Sequence, residues 1–356
     1  MITISLCMIV KNEEKVLSRC LESVKEIVDE IIIVDTGSTD RTKEIASHFT
    51  NNIYDFKWIN DFSAARNFSF SKATKEYVLW LDADDVIINE DKEKLLKLKE
   101  TIKQDIDFVM MKYNVGFDEY GNVNFSYYRE RLIKRSINPL WESPIHEAIS
   151  PHGNTIYSDI CITHKKENHS YSTRNLDIFK DMISKGIFLD SRQLYYYARE
   201  LMYNNNYIEA IEKFNEVIDN PNAWIENRIN ACMDLGNCYL SIGKENMYLS
   251  SLFRSFELDI PRGEICSSIG IFFMNKKHYT KAIYWFKTAL KLKPNLKSGA
   301  FVQIDYYTFI PCINLCVCYD RIGNRKLAIK YNNKAGKYKP QSNQYLSNLK
   351  FFDSNH

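Results

Sequence analysis

An apolar run ends in acid at Tyr77-Val-Leu-Trp-Leu-Asp-Ala-Asp-Asp85. A run this short, bounded by charge, reads as a buried strand whose end presents Asp82, Asp84 and Asp85 at the rim of a sheet. On extended chain Asp82 and Asp84 point to the same side, so they can share one hard cation or divide a metal-bound diphosphate between them. Alone, the same letters also serve as a solvated strand end before an acidic turn, so the neighbouring elements decide between the two readings.

Those elements alternate. Residues 2–10 have a strand pattern, and Val16, Leu17, Leu21, Val24, Ile27 and Val28 recur at helical spacing after Glu13. Glu30-Ile-Ile-Ile-Val34 is apolar without alternation, as a strand covered on both faces requires. It runs into Asp35-Thr-Gly-Ser-Thr-Asp40, where Ser38, Thr39 and Asp40 offer capping oxygens and Gly37 allows close approach of a ligand. A third strand over 51–58 and a helix over 62–73 complete a βαβαβαβ order, which predicts a mostly parallel sheet with right-handed crossovers. The strand ends of such a sheet converge, so Lys11-Asn12-Glu13-Glu14, Asp35-Thr-Gly-Ser38 and Asp82-Ala-Asp-Asp85 are expected in one crevice. Acids and amides there suit a nucleoside and a metal-bound diphosphate, with Asp35 accepting from a base N–H or a ribose hydroxyl. Helix capping by Asp35 and Ser38 is compatible with that role. The glycine-rich turns of dinucleotide readers and P-loops are missing.

Composition narrows the classes further. With 47 basic and 45 acidic residues in 356, a net charge of +2 gives no electrostatic case for nucleic acid as the main partner. Nine scattered cysteines read as reduced core residues, including Cys312, Cys316 and Cys318 within a helical pattern. No run approaches a membrane span, and Met1–Val10 reads as a first strand rather than a signal peptide, so a cytoplasmic protein is expected.

Four blocks in order, Ile4-Ser-Leu-Cys-Met-Ile-Val-Lys-Asn-Glu-Glu14, Val34-Asp-Thr-Gly-Ser-Thr-Asp40, Ala64-Ala-Arg-Asn67 and Leu79-Trp-Leu-Asp-Ala-Asp-Asp85, resemble the signatures of family 2 glycosyltransferases with the GT-A fold. The resemblance covers roughly the first 165 residues. It implies a UDP-sugar site built from Val10, Asn12, Glu14, Asp35, Gly37, Ser38, Arg66, Asp82 and Ala83, with Mg²⁺ or Mn²⁺ on Asp84. The downstream Trp141-Glu-Ser-Pro-Ile-His-Glu147 is similar to the family's segment that closes the site, which implies His146 as a second metal ligand. Inverting transfer needs one carboxylate to deprotonate the acceptor, and Glu147 is the candidate, with Glu142 and Glu130 as rivals. A final strand is expected over 156–163. The histidines His146, His152, His164 and His169 match no standard zinc spacing, and Lys165 and Arg174 are further candidates for contact with the diphosphate.

From about Ser191 the pattern is helical only. Small and aromatic residues recur, and Gly236 to Gly270 spans 34 residues, the tetratricopeptide period, which this half resembles. Ala282 and Ala289 let paired helices approach, while Tyr279 and Phe286 fill the groove between repeats; an insertion is expected between 295 and 306. Four pairs would stack into a solenoid of a kind that binds extended peptides or a second copy of the chain. The expected organisation is a GT-A domain over 1–165, a linker or helix over 166–190 and a helical repeat domain over 191–356. The combination resembles glycosyltransferases with tetratricopeptide repeats, some of which modify bacteriocin peptides on cysteine or serine. The resemblance therefore implies a peptide or protein acceptor at Cys or Ser/Thr and a possible homodimer. A cell-envelope glycan acceptor and a non-catalytic scaffold stay open as alternatives.

Overall fold

The structure is a computed structural model that describes residues 1–165, 173–295 and 300–354. His169, residues 166–172 of the expected linker and residues 296–299 of the expected insertion lie outside the described residues.

The first unit comprises Met1–Gly116 and Ser126–Phe188. Its chain order is β1 (Ile4–Val10), α1 (Leu17–Val24), β2 (Glu30–Asp35), α2 (Thr42–Ser47), β3 (Ile53–Asp55), α3 (Phe62–Ser71), β4 (Tyr77–Trp80), β5 (Asp85–Val86), α4 (Asn89–Thr101), β6 (Phe108–Phe117), β7 (Val123–Lys134), β8 (Thr155–His164) and α5 (Arg174–Ser184). One eight-stranded sheet runs β3-β2-β1-β4-β7-β6-β8-β5. The half formed by β3, β2, β1 and β4 is parallel, in line with the alternating sequence pattern. Beyond β4 the sheet is mixed rather than mostly parallel: β7 runs antiparallel to β4, β8 parallel to β6, and β5 antiparallel to β8. The link between β6 and β7 is too short for the crossover that a parallel pair needs. Ile32, Ile33 and Val34 of β2 are fully buried, which explains why that strand does not alternate. Within the segment expected as a linker or helix, α5 forms and belongs to the first unit.

The second unit comprises Phe117–Phe125 and Leu189–His356. It holds α6 (Ser191–Tyr203), α7 (Tyr207–Asp219), α8 (Ile225–Ser241), α9 (Glu245–Leu258), α10 (Gly263–Asn275), α11 (Tyr279–Ala289), α12 (Phe309–Arg321), α13 (Arg325–Tyr338) and α14 (Asn343–Ser354). Consecutive helices pack as the pairs α6/α7, α8/α9, α10/α11 and α12/α13, with α14 against α13. Small residues mark the close approaches. A Cβ added to Gly270 would stand 2.7 Å from the ring of buried Phe286, and one on Gly236 would stand 3.0 Å from Tyr248. Ala282 and Ala289 are fully buried, as are Cys312 and Cys318. All nine cysteines are unpaired, and burial pushes the thiols of Cys316 and Cys318 up to about 12. These are packing residues.

Candidate active site

Helix α3 positions the first cation of the site. Asp61 caps it by accepting from the Ala64 N–H at 2.9 Å, which sets where the helix starts and hence where Arg66 points. The Arg66 guanidinium lies between the Trp80 ring at 5.1 Å and the Trp141 ring at 4.8 Å. Its Nη2 donates to Asp82 Oδ1 at 2.8 Å and its Nε to Glu147 Oε1 at 2.7 Å. Burial alone would push the Asp82 carboxyl up, but Arg66, followed by Arg131, outweighs it and holds the pKa at about 2. Asp82 is thus an anion at any working pH.

The next residue of α3 secures the loop that carries Glu147. Asn67 donates through Nδ2 to the Trp141 carbonyl at 3.0 Å and accepts the Trp141 N–H at 2.9 Å. The Phe62 N–H donates to the Pro144 carbonyl at 2.8 Å, and Glu142 pairs with Ala148 across the loop. Ser143 and His146 adopt left-handed backbone, with φ of 76° and 52°, which makes the turn tight enough for His146 and Glu147 to face inward. The His146 ring stacks on Phe179 of α5.

At the end of β4 the acids form a group with a histidine that the sequence pattern did not single out. Single donor atoms of Asp84, Asp85 and His164 lie within 4.8 Å of one another. His164 Nδ1 is 3.3 Å from Asp84 Oδ1, 3.4 Å from Asp85 Oδ1 and 3.0 Å from the Tyr113 hydroxyl. Burial would lower the imidazole pKa; Asp84 and Asp85 override this and raise it to about 10. Once a cation displaces the imidazole proton, two carboxylates and a neutral imidazole are an ordinary donor set for a divalent ion, so the residues fit Mg²⁺ or Mn²⁺. His164 closes an apolar strand just as Asp82 does, so the strand-end reasoning applied to β4 would have found it on β8.

Arg66, Asp82, Asp84, His146, Glu147 and His164 face a cavity of about 590 Å³, and Asp85 is buried behind them. Of the residues expected at the site, Val10, Arg66, Asp82, Ala83, Asp84, His146 and Glu147 line it, together with Arg174. Neither rival carboxylate lines it: Glu142 is exposed, and buried Glu130 is bound by Arg129 at 3.0 Å. Lys165 is likewise not among the lining residues; its N–H donates to the Asp84 carbonyl. Asn12, Glu14, Asp35, Gly37 and Ser38 instead knit the two loops behind the lining. Asn12 Oδ1 accepts the Thr39 N–H, its own N–H donates to Ser38 Oγ, and Glu14 Oε2 accepts the Arg41 N–H. Asp35 Oδ2 accepts from Gly37 and Ser38, whose turn needs the φ of 103° at Gly37. Asp35 Oδ1 is buried and accepts nothing among the described residues. The loop presents Glu13 to the cavity, where the resemblance implied Glu14. Burial, then the charges of Asp84 and Asp82, push Glu13 up to about 7.

Residues 5–162 match the model of the family described as glycosyl transferase family 2. The chain is 28% identical over 277 residues to the SPbeta prophage-derived glycosyltransferase SunS of Bacillus subtilis, covering 73% of this chain and 64% of that protein. A TPR repeat-containing protein of Synechococcus elongatus is 50% identical over 90 residues, which are 25% of this chain and 22% of that protein. The chain thus spans less than two thirds of either relative. Among solved structures, it is similar to the MamA protein at 16% identity, 47% of this chain and 82% of that one, with a TM-score of 0.36. The matched stretch includes the ends of β1, β2 and β4 and the loop from Trp141 to Glu147, while His164 and Arg174 lie beyond it, so most of the cavity wall falls in the region similar to glycosyl transferase family 2.

Proposed function

We propose that the chain is an inverting glycosyltransferase that moves a hexose or N-acetylhexosamine from a UDP-sugar to a Cys, Ser or Thr side chain of a peptide. The observation that carries this reading is the arrangement of Arg66, Asp82 and Glu147 beside Asp84 and His164 in one cavity, with Asp85 buried behind them, built mostly by residues that match the family 2 model. In it the uracil N–H would meet Asp35 Oδ1, and Asp82, oriented by Arg66, would receive a ribose hydroxyl. Asp84, with Asp85 and His164 or with His146, would hold Mg²⁺ or Mn²⁺, which when bound offsets charge on the leaving diphosphate. The acceptor sulfur or oxygen forms a bond to the anomeric carbon as the bond from that carbon to the diphosphate oxygen breaks. Glu147 takes the acceptor proton, and no enzyme nucleophile is needed.

The helix pairs of the second unit support a polypeptide acceptor, since stacked repeats of this kind commonly hold extended peptides. The same surfaces would serve a homodimer. Nine unpaired cysteines favour a reducing compartment, the cytoplasm. Among the described residues no helix is long and apolar enough to cross a membrane. The test is thermal stabilisation of the full chain by UDP, GDP and their sugars with and without Mn²⁺, followed by mass spectrometry of Cys- and Ser-containing peptides incubated with the stabilising donor. A hexose-sized mass gain on a peptide supports the reading. Donor binding with transfer only to a glycan would replace the acceptor assignment, and absence of any nucleotide effect would overturn the reading.

A further inference from the structure

We propose that Arg131 is a positioning residue for the acid cluster and acts through Asp85; this rests on the metal-dependent reading above. Arg131 and Asp85 have no side-chain exposure at all. A guanidinium placed there costs several kcal/mol of desolvation, and an apolar side chain of similar volume would fill the space more cheaply. Its Nε and Nη2 make no hydrogen bond among the described residues, which adds to that cost. Fold stability is therefore a poor account of why the position carries a cation.

Its contacts supply a better one. Nη1 donates to the Trp80 carbonyl at 3.1 Å, the last residue of β4, and to Asp85 Oδ2 at 3.0 Å. Asp85 Oδ2 also accepts the Asp82 N–H at 3.0 Å, while the Asp85 N–H returns to the Asp82 carbonyl at 3.0 Å, so one carboxylate oxygen closes the whole acidic turn. With Oδ2 thus occupied, Oδ1 is the atom turned toward His164. The guanidinium plane lies 3.8 Å from the Trp80 ring centre and 4.3 Å from that of Tyr113, whose hydroxyl meets His164 Nδ1. Arg131 therefore holds Asp85 directly and packs on the tyrosine that supports His164, and as a guanidinium it has no lone pair to offer an ion itself. Its role is to hold the Asp85 carboxylate in the one rotation that offers Oδ1 to a cation shared with Asp84 and His164.

The test measures Mn²⁺ affinity of the full chain, by electron paramagnetic resonance of free Mn²⁺, for wild type, Arg131→Lys, Arg131→Met, Asp85→Asn and the Arg131→Met/Asp85→Asn pair. Loss of a group that orients a ligand lowers metal affinity by about 10- to 100-fold, so Arg131→Met should fall in that range, and Asp85→Asn, which alters the ligand itself, should lower affinity at least as much. Because both act on one carboxylate, the double variant should bind within about twofold of Asp85→Asn alone. Arg131→Lys keeps the charge but lacks the planar fork, so it should also weaken binding, and it takes the place of Arg131→Met in the cycle if that variant does not fold. Unchanged Mn²⁺ affinity in a folded Arg131 variant, or effects that multiply in the pair, would overturn the proposal. A wild-type chain that binds no Mn²⁺ would instead remove the metal-dependent reading, and the role of Arg131 with it.

Discussion

Arg66 Nε donates to Glu147 Oε1 at 2.7 Å, joining a helix residue to a loop residue 81 positions later. The same guanidinium holds Asp82, so the end of β4 and the loop that carries Glu147 share one cation. A carboxylate bound this way is fixed in place with its second oxygen left over, which is what a base needs in order to meet one incoming proton.

Replacing Glu147 by Gln keeps an oxygen for Arg66 and removes the base. The turnover number should fall by about 10²- to 10⁴-fold with little change in the KM for the donor. Steady-state kinetics with a stabilising donor and a peptide acceptor checks this. Turnover within tenfold of wild type would return the role to another carboxylate.

Asp84 is partly exposed at the cavity wall. Asp84→Ala should abolish Mn²⁺-dependent transfer while the melting temperature in EDTA stays within a few degrees of wild type, as expected for a surface acid outside the core. Calorimetric titration with Mn²⁺ and activity with added metal measure both halves. Transfer that persists in this variant would remove Asp84 from the metal.

Glu13 makes stability depend on pH in a direction opposite to most carboxylates. Its folded-state pKa of about 7 exceeds the ordinary 4.5, so its contribution is fully present below 4.5 and is lost as pH rises through 7. Above that pH the ionised group is held at a cost of about 1 kcal/mol, after allowing for its half-exposed position. Glu13→Gln should raise the melting temperature in EDTA by a few degrees at pH 8, and the gain should fade as pH approaches 4.5. A gain that is the same at both ends of this range would show that ionisation of Glu13 is not its source.

In the second unit, Gly270→Ala would drive a Cβ to 2.7 Å from Phe286, whose ring is fully buried and cannot swing aside. Overpacking of this kind outweighs the gain in helix propensity, and a net loss of about 1–2 kcal/mol is expected. Urea denaturation of the full chain followed by circular dichroism checks it, and an Ala variant as stable as wild type would mean that the α10/α11 contact is looser than drawn.

Much of this was legible from letters alone, because it is written in local periodicity. The unbroken apolar run of β2, the acids ending β4, the change to helices after Ser191 and the pairing of glycines with aromatics all follow from neighbours along the chain. The same applies to Arg66, which stands out as a cation in an ordered block ahead of Asp82. What could not be read was pairing across long separations. That Arg66 meets Glu147, that Arg131 lies between Trp80 and Tyr113, and that His164 joins Asp84 and Asp85 depend on β7 and β8 entering the sheet next to β4 and β5. The choice between Glu13 and Glu14 had the same origin, since both are acids on one loop and only the turn at Asn12, with its φ of 56°, decides which faces the cavity. Residue type and spacing therefore determined the chemistry on offer, while the order of strands in a mixed sheet decided which atoms come within reach of one another, because non-local contacts leave no periodic trace in the chain that makes them.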